Sequence, residues 1–421
     1  MLPLQSPLEA YRADLSRHPS QTDFGRSDTV WLLVAHCLHR LSRVQGETRH
    51  TIAVNCAAAI SDLAATVDAD TPEEATMITE LARLREGLVC LDGAQGASAV
   101  VGASRVLADQ MAEAGALWMA LSTLGHARLA ASAAPVRDLG LAMADQAWVA
   151  RSLGDLDSAD ELYNAVATAG SRAAEPELQA RALLGKGVVA RVRGNYPKAR
   201  KYLRDGLAHA EAASLTDLCA IGHQGLLIAA ATAGDYQTAL VHGWAAYELA
   251  ADAPERQSEI LINLSQVSLL AGQPRAARSG FLATLSRTEV ARFRLPCLGG
   301  AAVASAELGD VATLATLARA AEDSISVTTL PFESASVLKS LYDAYGAAGD
   351  AARSEEYRLR ARTLARKNGF FEIALATEGR EAPANPPRAA KAPLSGESWN
   401  VIHSLETLDT EPSAAAFALT P

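Results

Sequence analysis

Two arginines, Arg151 and Arg191, each stand three residues before a glycine, at Gly154 and Gly194. Guanidiniums in equivalent, neighbouring places can hold a carboxylate through paired N–H donors, so the ligand they suit is an acidic peptide or a C-terminal carboxylate. Arg181 and Lys186 can join from the same stretch. Trp148, Leu184, Val188, Gln224 and Ile228, with Leu141 and Ile221, would supply apolar and polar surface beside them. The alternative is that Arg151 and Arg191 only complement helix C-termini in solvent.

Other chemistry-bearing residues are weaker candidates. His36 and His39 are three apart, close enough on a helix to share a metal, with Cys37 between them. No third or fourth ligand follows at the spacing of zinc sites, so a structural or surface role is expected. Cys219 and His223 are read the same way. Gly185-x-Gly187-x-x-Ala190 has the letters of a dinucleotide fingerprint, but that motif works only at a strand-to-helix turn. Asp23-Phe24-Gly25 matches a kinase tripeptide with no other kinase motif present. No phosphate-binding loop, serine elbow or marked carboxylate couple appears. The expectation is no catalytic residue, no metal and no cofactor.

The elements that would position these residues are pairs of short helices. In Arg181 to Ala210, a first helix is expected from Leu183 to Arg193, stopped by Gly194 because glycine adopts the left-handed conformation freely. A second starts at Asn195, an acceptable N-cap. Its apolar face is Tyr196, Ala199, Leu203, Gly206 and Leu207. Gly187 and Ala199 are small, so the two helices can approach closely.

The same turn recurs at Gly154, Gly194, Gly234, Gly272, Gly309 and Gly349, which lie 40, 40, 38, 37 and 40 residues apart. A weaker copy at Gly115 precedes them. Pro135, Pro176, Pro254 and Pro331 fall between units with the same rhythm, where proline ends one helix and is tolerated at the start of the next. Two markers with one period, out of phase, indicate a repeat protein.

Gly234-Asp235-Tyr236 followed by Ala239 resembles the second half of a tetratricopeptide repeat. Tyr163, Leu203 and Phe281 fill the later large position, and Gly187 matches the small residue in the middle of the first helix. The resemblance covers roughly Val101 to Thr377. The period is near 40 rather than 34, similar to the longer repeats of bacterial transcription activators and peptide-pheromone sensors. The resemblance implies an all-α fold, a right-handed superhelical solenoid of antiparallel helix pairs. It places Arg151 and Arg191 near a concave surface where such folds hold ligands. The function implied is a non-catalytic protein- or peptide-binding scaffold or regulatory adaptor. A regulatory subunit of an effector enzyme, or a transcription regulator using the N-terminal helices, is the alternative.

Composition agrees. A chain of 421 residues is long for one compact core, whereas repeats pack only on their neighbours. A net charge of −10 argues against a general nucleic-acid binder. Five scattered cysteines suggest reduced thiols in a cytoplasm, and no apolar run is long enough for a membrane helix. The expected organisation is an N-terminal segment over 1–27, then a helical cap or degenerate repeats over 28–92. A solenoid of about seven helix pairs follows over 93–377, then a mostly disordered tail over 378–421. In the cap, Thr71-Pro72-Glu73-Glu74 reads as a helix start. The tail carries an amphipathic motif over 397–408. Trp399, Ile402, Leu405 and Leu408 share one helical face there, which would dock a partner or fold back on the chain itself.

Overall fold

The computed structural model describes residues 5–17, 28–67, 69–288, 290–328, 330–378 and 394–408. The tripeptide Asp23-Phe24-Gly25 and the proline- and alanine-rich stretch 381–393 lie outside the described residues. Among the described residues every regular element is a helix, and no helix is long and apolar enough to cross a membrane. The chain divides into two units, Met1–Leu218 and Cys219–Pro421.

The N-terminal unit holds α1 (Pro7–Arg17), α2 (Asp28–Leu41), α3 (Glu47–Ala64) and α4 (Pro72–Val89). Helix pairs follow: α5 (Ala94–Glu113) with α6 (Leu117–Ala130), α7 (Val136–Ser152) with α8 (Leu156–Ala173), and α9 (Pro176–Val192) with α10 (Tyr196–Ala212). The division between units falls within α11 (Thr216–Thr232). In the C-terminal unit come α12 (Tyr236–Leu249), α13 (Pro254–Leu270), α14 (Pro274–Leu285), α15 (Ala291–Glu307), α16 (Val311–Val327), α17 (Pro331–Ala347) and α18 (Ala351–Asn368). A short α19 (Phe371–Ala376) and α20 (Glu397–Glu406) complete it.

One backbone device makes every pair. All seven turn glycines, Gly115 to Gly349, are left-handed, with φ between 74° and 89°. In each turn the N–H of the residue after the glycine donates to the carbonyl five residues earlier, as Asp155 does to Ala150 at 3.0 Å and Asp350 to Tyr345 at 2.9 Å. This satisfies a carbonyl that the helix end would otherwise orphan. In five of the seven turns the side chain of the residue after the glycine then caps the next helix. Asp155, Asn195, Asp235, Asp310 and Asp350 accept from the backbone N–H three residues on, at 3.0 to 3.2 Å. The glycine closes one helix and its neighbour opens the next. First helices begin earlier than the apolar pattern alone suggests: α9 starts at Pro176, not near Leu183.

Glycines inside helices have a different cause. A Cβ on Gly185 would overlap the Tyr163 ring, and one on Gly187 would lie 2.6 Å from Leu203. The Gly185–Gly187 pair is therefore a packing surface within α9 for residues of α8 and α10, not a phosphate cradle. In the C-terminal unit Phe281 of α14 packs on Gly300 of α15 in the same way, its ring filling the place a Cβ there would take.

The first four helices share one apolar core with α5 to α8, through Leu38, Ile60, Leu84 and Leu107 among others. The Thr71 start of α4 is a full capping box. α1 falls in a stretch where the sequence pattern predicts no helix. Its fully buried Asp14 accepts from the backbone N–H groups of Trp118 and Met119, each at 2.8 Å. Ala116, the N-cap of α6, has no side chain able to do this, so α1 supplies the cap from a distance.

Candidate functional site

In the N-terminal unit the first helices α5, α7 and α9 pack in sequence, and the period sets equivalent residues side by side. Ser98 Oγ donates to Asp138 Oδ2, Arg105 Nε to Asp145 Oδ2 and Arg137 Nη2 to Glu177 Oε2, each at 2.5 Å between partners 40 residues apart. Glu177 also accepts from Arg181 Nε at 3.1 Å. Burial works to raise the Glu177 pKa, but hydrogen bonds from Arg137 and Arg181 hold it below the usual carboxylate range.

Members of this ladder line a cavity of about 520 Å³ with Arg83, Asp109, Leu141 and Trp148. Its charged lining is three arginines and four carboxylates. Burial, and then the Asp145 carboxylate, push Asp109 above the usual range against the pull of Arg105. Trp148 is 40% exposed, so a large aromatic face is open to a ligand.

Arg151 and Arg191, at the C-terminal ends of α7 and α9, are neighbours as their equivalence requires. Burial first, and then the Arg151 charge, lower the Arg191 pKa, with Tyr196 opposing. No carboxylate ion pair is found for either among the described residues; Arg151 Nε is buried with no hydrogen bond, while the Arg151 guanidinium is hydrogen-bonded to the Tyr163 hydroxyl. Burial raises the Tyr163 hydroxyl, and Arg151 and Arg181 act to lower it. Arg151 and Asp145 of α7 and Arg181 of α9 thus all act on the Tyr163 hydroxyl of α8.

The remaining expected residues lie elsewhere. Leu184 is buried at 3% exposure against Gly206 of α10. Lys186 turns towards the second helices, donating to Asn164 Oδ1 at 2.7 Å, with its ammonium 4.8 Å from the centroid of the Tyr202 ring. Both are removed from the arginine set because their positions on α9 face α8 and α10. Val188 is half-buried, 40 residues after Trp148. Gln224 and Ile228 belong to the C-terminal unit, where Gln224 donates to Glu259 at 2.9 Å and Ile228 packs against an apolar cluster. In the tail, Ile402 and Leu405 are buried and Leu408 is half-buried. Trp399 points outwards at 48% exposure, and Ser398 and Val401 take its place on the buried face.

The histidine candidates pair differently from the spacing in the sequence. His39 Nδ1 lies 3.0 Å from His126 Nε2, and Ser42 Oγ lies 3.1 Å from His126 Nδ1. His223 Nδ1 lies 3.0 Å from His242 Nδ1. Among the described residues no three His, Cys, Asp or Glu side chains are grouped to hold a metal ion.

No family model matches the chain, and no curated protein matches its sequence. Solved structures do match. One is a signal-transduction ATPase with numerous domains (STAND) from Pyrococcus horikoshii that has a tetratricopeptide repeat sensor. Its TM-score is 0.52 at 11% identity, over 80% of this chain and 56% of that one, so the likeness spans little more than half of that protein. A Rap protein complexed with competence and sporulation factor aligns with a TM-score of 0.49 at 10% identity, over 81% of this chain and 99% of that one. BtubC from P. vanneervenii aligns with a TM-score of 0.34 at 17% identity, over 78% and 100%. At such identities the likeness concerns the fold. Helix pairs closed by a left-handed glycine, at a period near 40 residues, make this an all-α helical-repeat fold, similar in fold to a protein that has a tetratricopeptide repeat sensor.

Proposed function

We propose that this chain is a non-catalytic scaffold or regulatory adaptor that binds a peptide or protein along the first-helix face of its N-terminal unit. The observation that carries the reading is the arginine pair without carboxylate partners, Arg151 and Arg191, at the ends of the helices that line the mixed-charge cavity. Arg151 has the Tyr163 hydroxyl as a hydrogen-bond partner, but a part-buried guanidinium without an opposite charge keeps most of its desolvation cost. A ligand carboxylate supplies that charge with charge-assisted hydrogen bonds. The partner is therefore acidic or presents a free C-terminus. Trp148 and Leu141 offer apolar contact next to the ladder. Burial and the Asp145 carboxylate push Asp109 up, but its neighbours Arg105 and Asp145 belong to the same ladder that ties α5 to α7. This setting favours a structural strut over a reacting group.

An affinity pull-down from the chain's own host, with mass spectrometry, tests this with wild type and the Arg151→Glu/Arg191→Glu variant. A specific partner is expected with wild type and a loss of about tenfold or more in the variant, with unchanged helicity by circular dichroism. Equal capture by both proteins would place binding elsewhere.

A further inference from the structure

α20 does not extend the stack of repeats. It packs on α12 and α14, the second helices of two consecutive pairs, far back in the chain from α18 and α19. Its buried residues are Ser398, Val401, Ile402 and Leu405, at i, i+3, i+4 and i+7 on one face. Val401, Ile402 and Leu405 join Leu240 and Ala246 of α12 and Ala276 and Ala283 of α14 in one apolar cluster. Trp244 and Tyr247 of α12, stacked 5.2 Å apart, are only partly covered at its margin. In a chain with 5% aromatic residues, this concentration is what a binding surface carries.

α20 holds this place weakly for a core element. Ten residues are too few for a stable isolated helix in water. Its N-cap is Gly396, with no side-chain hydrogen bond. It is helical because it is docked, so undocking and unfolding are one event. The repeat turns and their glycine contacts are all made without it.

We infer that the α12–α14 face is a docking site for an amphipathic helix of a partner protein, and that α20 is a tethered competitor occupying it in cis. The partner helix has α20's pattern: a small residue, aliphatic side chains three and four positions on, and leucine at the seventh. A second copy's tail is the poorer occupant. The chain's own α20 is tethered through 379–393, and such linkage gives an effective concentration on the order of millimolar. An identical free tail at micromolar concentration cannot overcome that. A helix that is more stable, or that buries more than Val401, Ile402 and Leu405, can. This site is independent of the arginine face.

Fluorescence anisotropy with a labelled synthetic peptide of residues 394–408 tests this on the full-length chain. Ile402→Asp/Leu405→Asp releases the latch, and that variant should bind the peptide about 100-fold more tightly than wild type. Adding Trp244→Ala to the released chain should weaken binding about tenfold. A peptide made more helical by Asn400→Ala and His403→Ala, both at exposed positions, should displace α20 from wild type. Four outcomes overturn the inference. A released chain that stays folded but ignores the peptide shows there is no receptive face. Equal binding by wild type shows there is no competition. A released chain that no longer unfolds cooperatively shows α20 to be core. A wild-type dimer that release breaks apart shows that a second copy is the occupant.

Discussion

At each turn, one residue carries a backbone conformation that its neighbours depend on. Gly234 has φ 77° with open space where a Cβ would stand, so Gly234→Ala tests backbone strain without a clash. It should cost about 1 kcal/mol, read as a lower midpoint in urea. The converse holds at Ala174, left-handed at φ 53°, where Ala174→Gly should raise stability by roughly 0.5–1 kcal/mol. The contact between half-buried His39 and buried His126 makes a pH-dependent contribution. Burial first, with the His39 and Arg43 charges, lowers His126 from 6.5 to about 4, against the Gln5 carbonyl. Below pH 6.5 the unfolded chain takes up that proton and the folded one does not. The stabilisation is therefore complete above pH 6.5 and drains away as pH falls towards 4, by roughly 2 kcal/mol after allowing for solvent screening. Thermal melts of wild type and His126→Gln should show the variant's stability falling less over that window. The turn glycines and their caps are legible because each acts on its own chain neighbours. The His39–His126 contact joins residues 87 apart, and no local pattern encodes it.

Between elements, small residues on one helix receive large ones from the next. Gly300 receives Phe281 and Gly185 receives Tyr163. Gly300→Ala should destabilise by roughly 1–3 kcal/mol through overpacking. Pairing it with Phe281→Leu should recover part of that loss, which a double-mutant cycle of unfolding free energies would show. α1 offers a second test. Asp14→Ala removes the acceptor for two backbone N–H groups of α6 and should cost roughly 2 kcal/mol, with faster amide exchange at Trp118 and Met119. Helix pairs and the seven turns are legible from spacing; the large residues Tyr163, Leu203 and Phe281 follow from the repeat resemblance, and the glycines that receive Tyr163 and Phe281 only from the structure. α1 is not legible, because its meaning lies in the uncapped start of α6, about a hundred residues later. The ladder of Arg105–Asp145 and Arg137–Glu177 is written in the sequence as complementary charges one period apart. The glycines and prolines that mark the period carry no charge, so they give no hint of it. Lys186 leaves the expected set for a related reason. Its number falls near Arg191, but a residue five positions away on a helix faces another way.

For the molecule as a whole, the two proposed surfaces lie one on each unit and suit different kinds of ligand. In the N-terminal unit the proposed surface is two arginines without carboxylate partners among the described residues, near a cavity lined by both charge signs. The C-terminal unit offers an apolar face already covered by a helix. A chain of net charge −10 repels acidic ligands at long range, so recognition of a carboxylate has to come from close contacts at Arg151 and Arg191. Binding should depend on those two residues far more than on bulk ionic strength. The most direct measurement is selection from a random peptide library displayed with free C-termini, against wild type and Arg151→Glu/Arg191→Glu in parallel. Wild type should enrich acidic or C-terminal-carboxylate peptides that the variant, still fully helical, does not retain. Enrichment of the same peptides by both proteins would contradict the assignment of the arginine face.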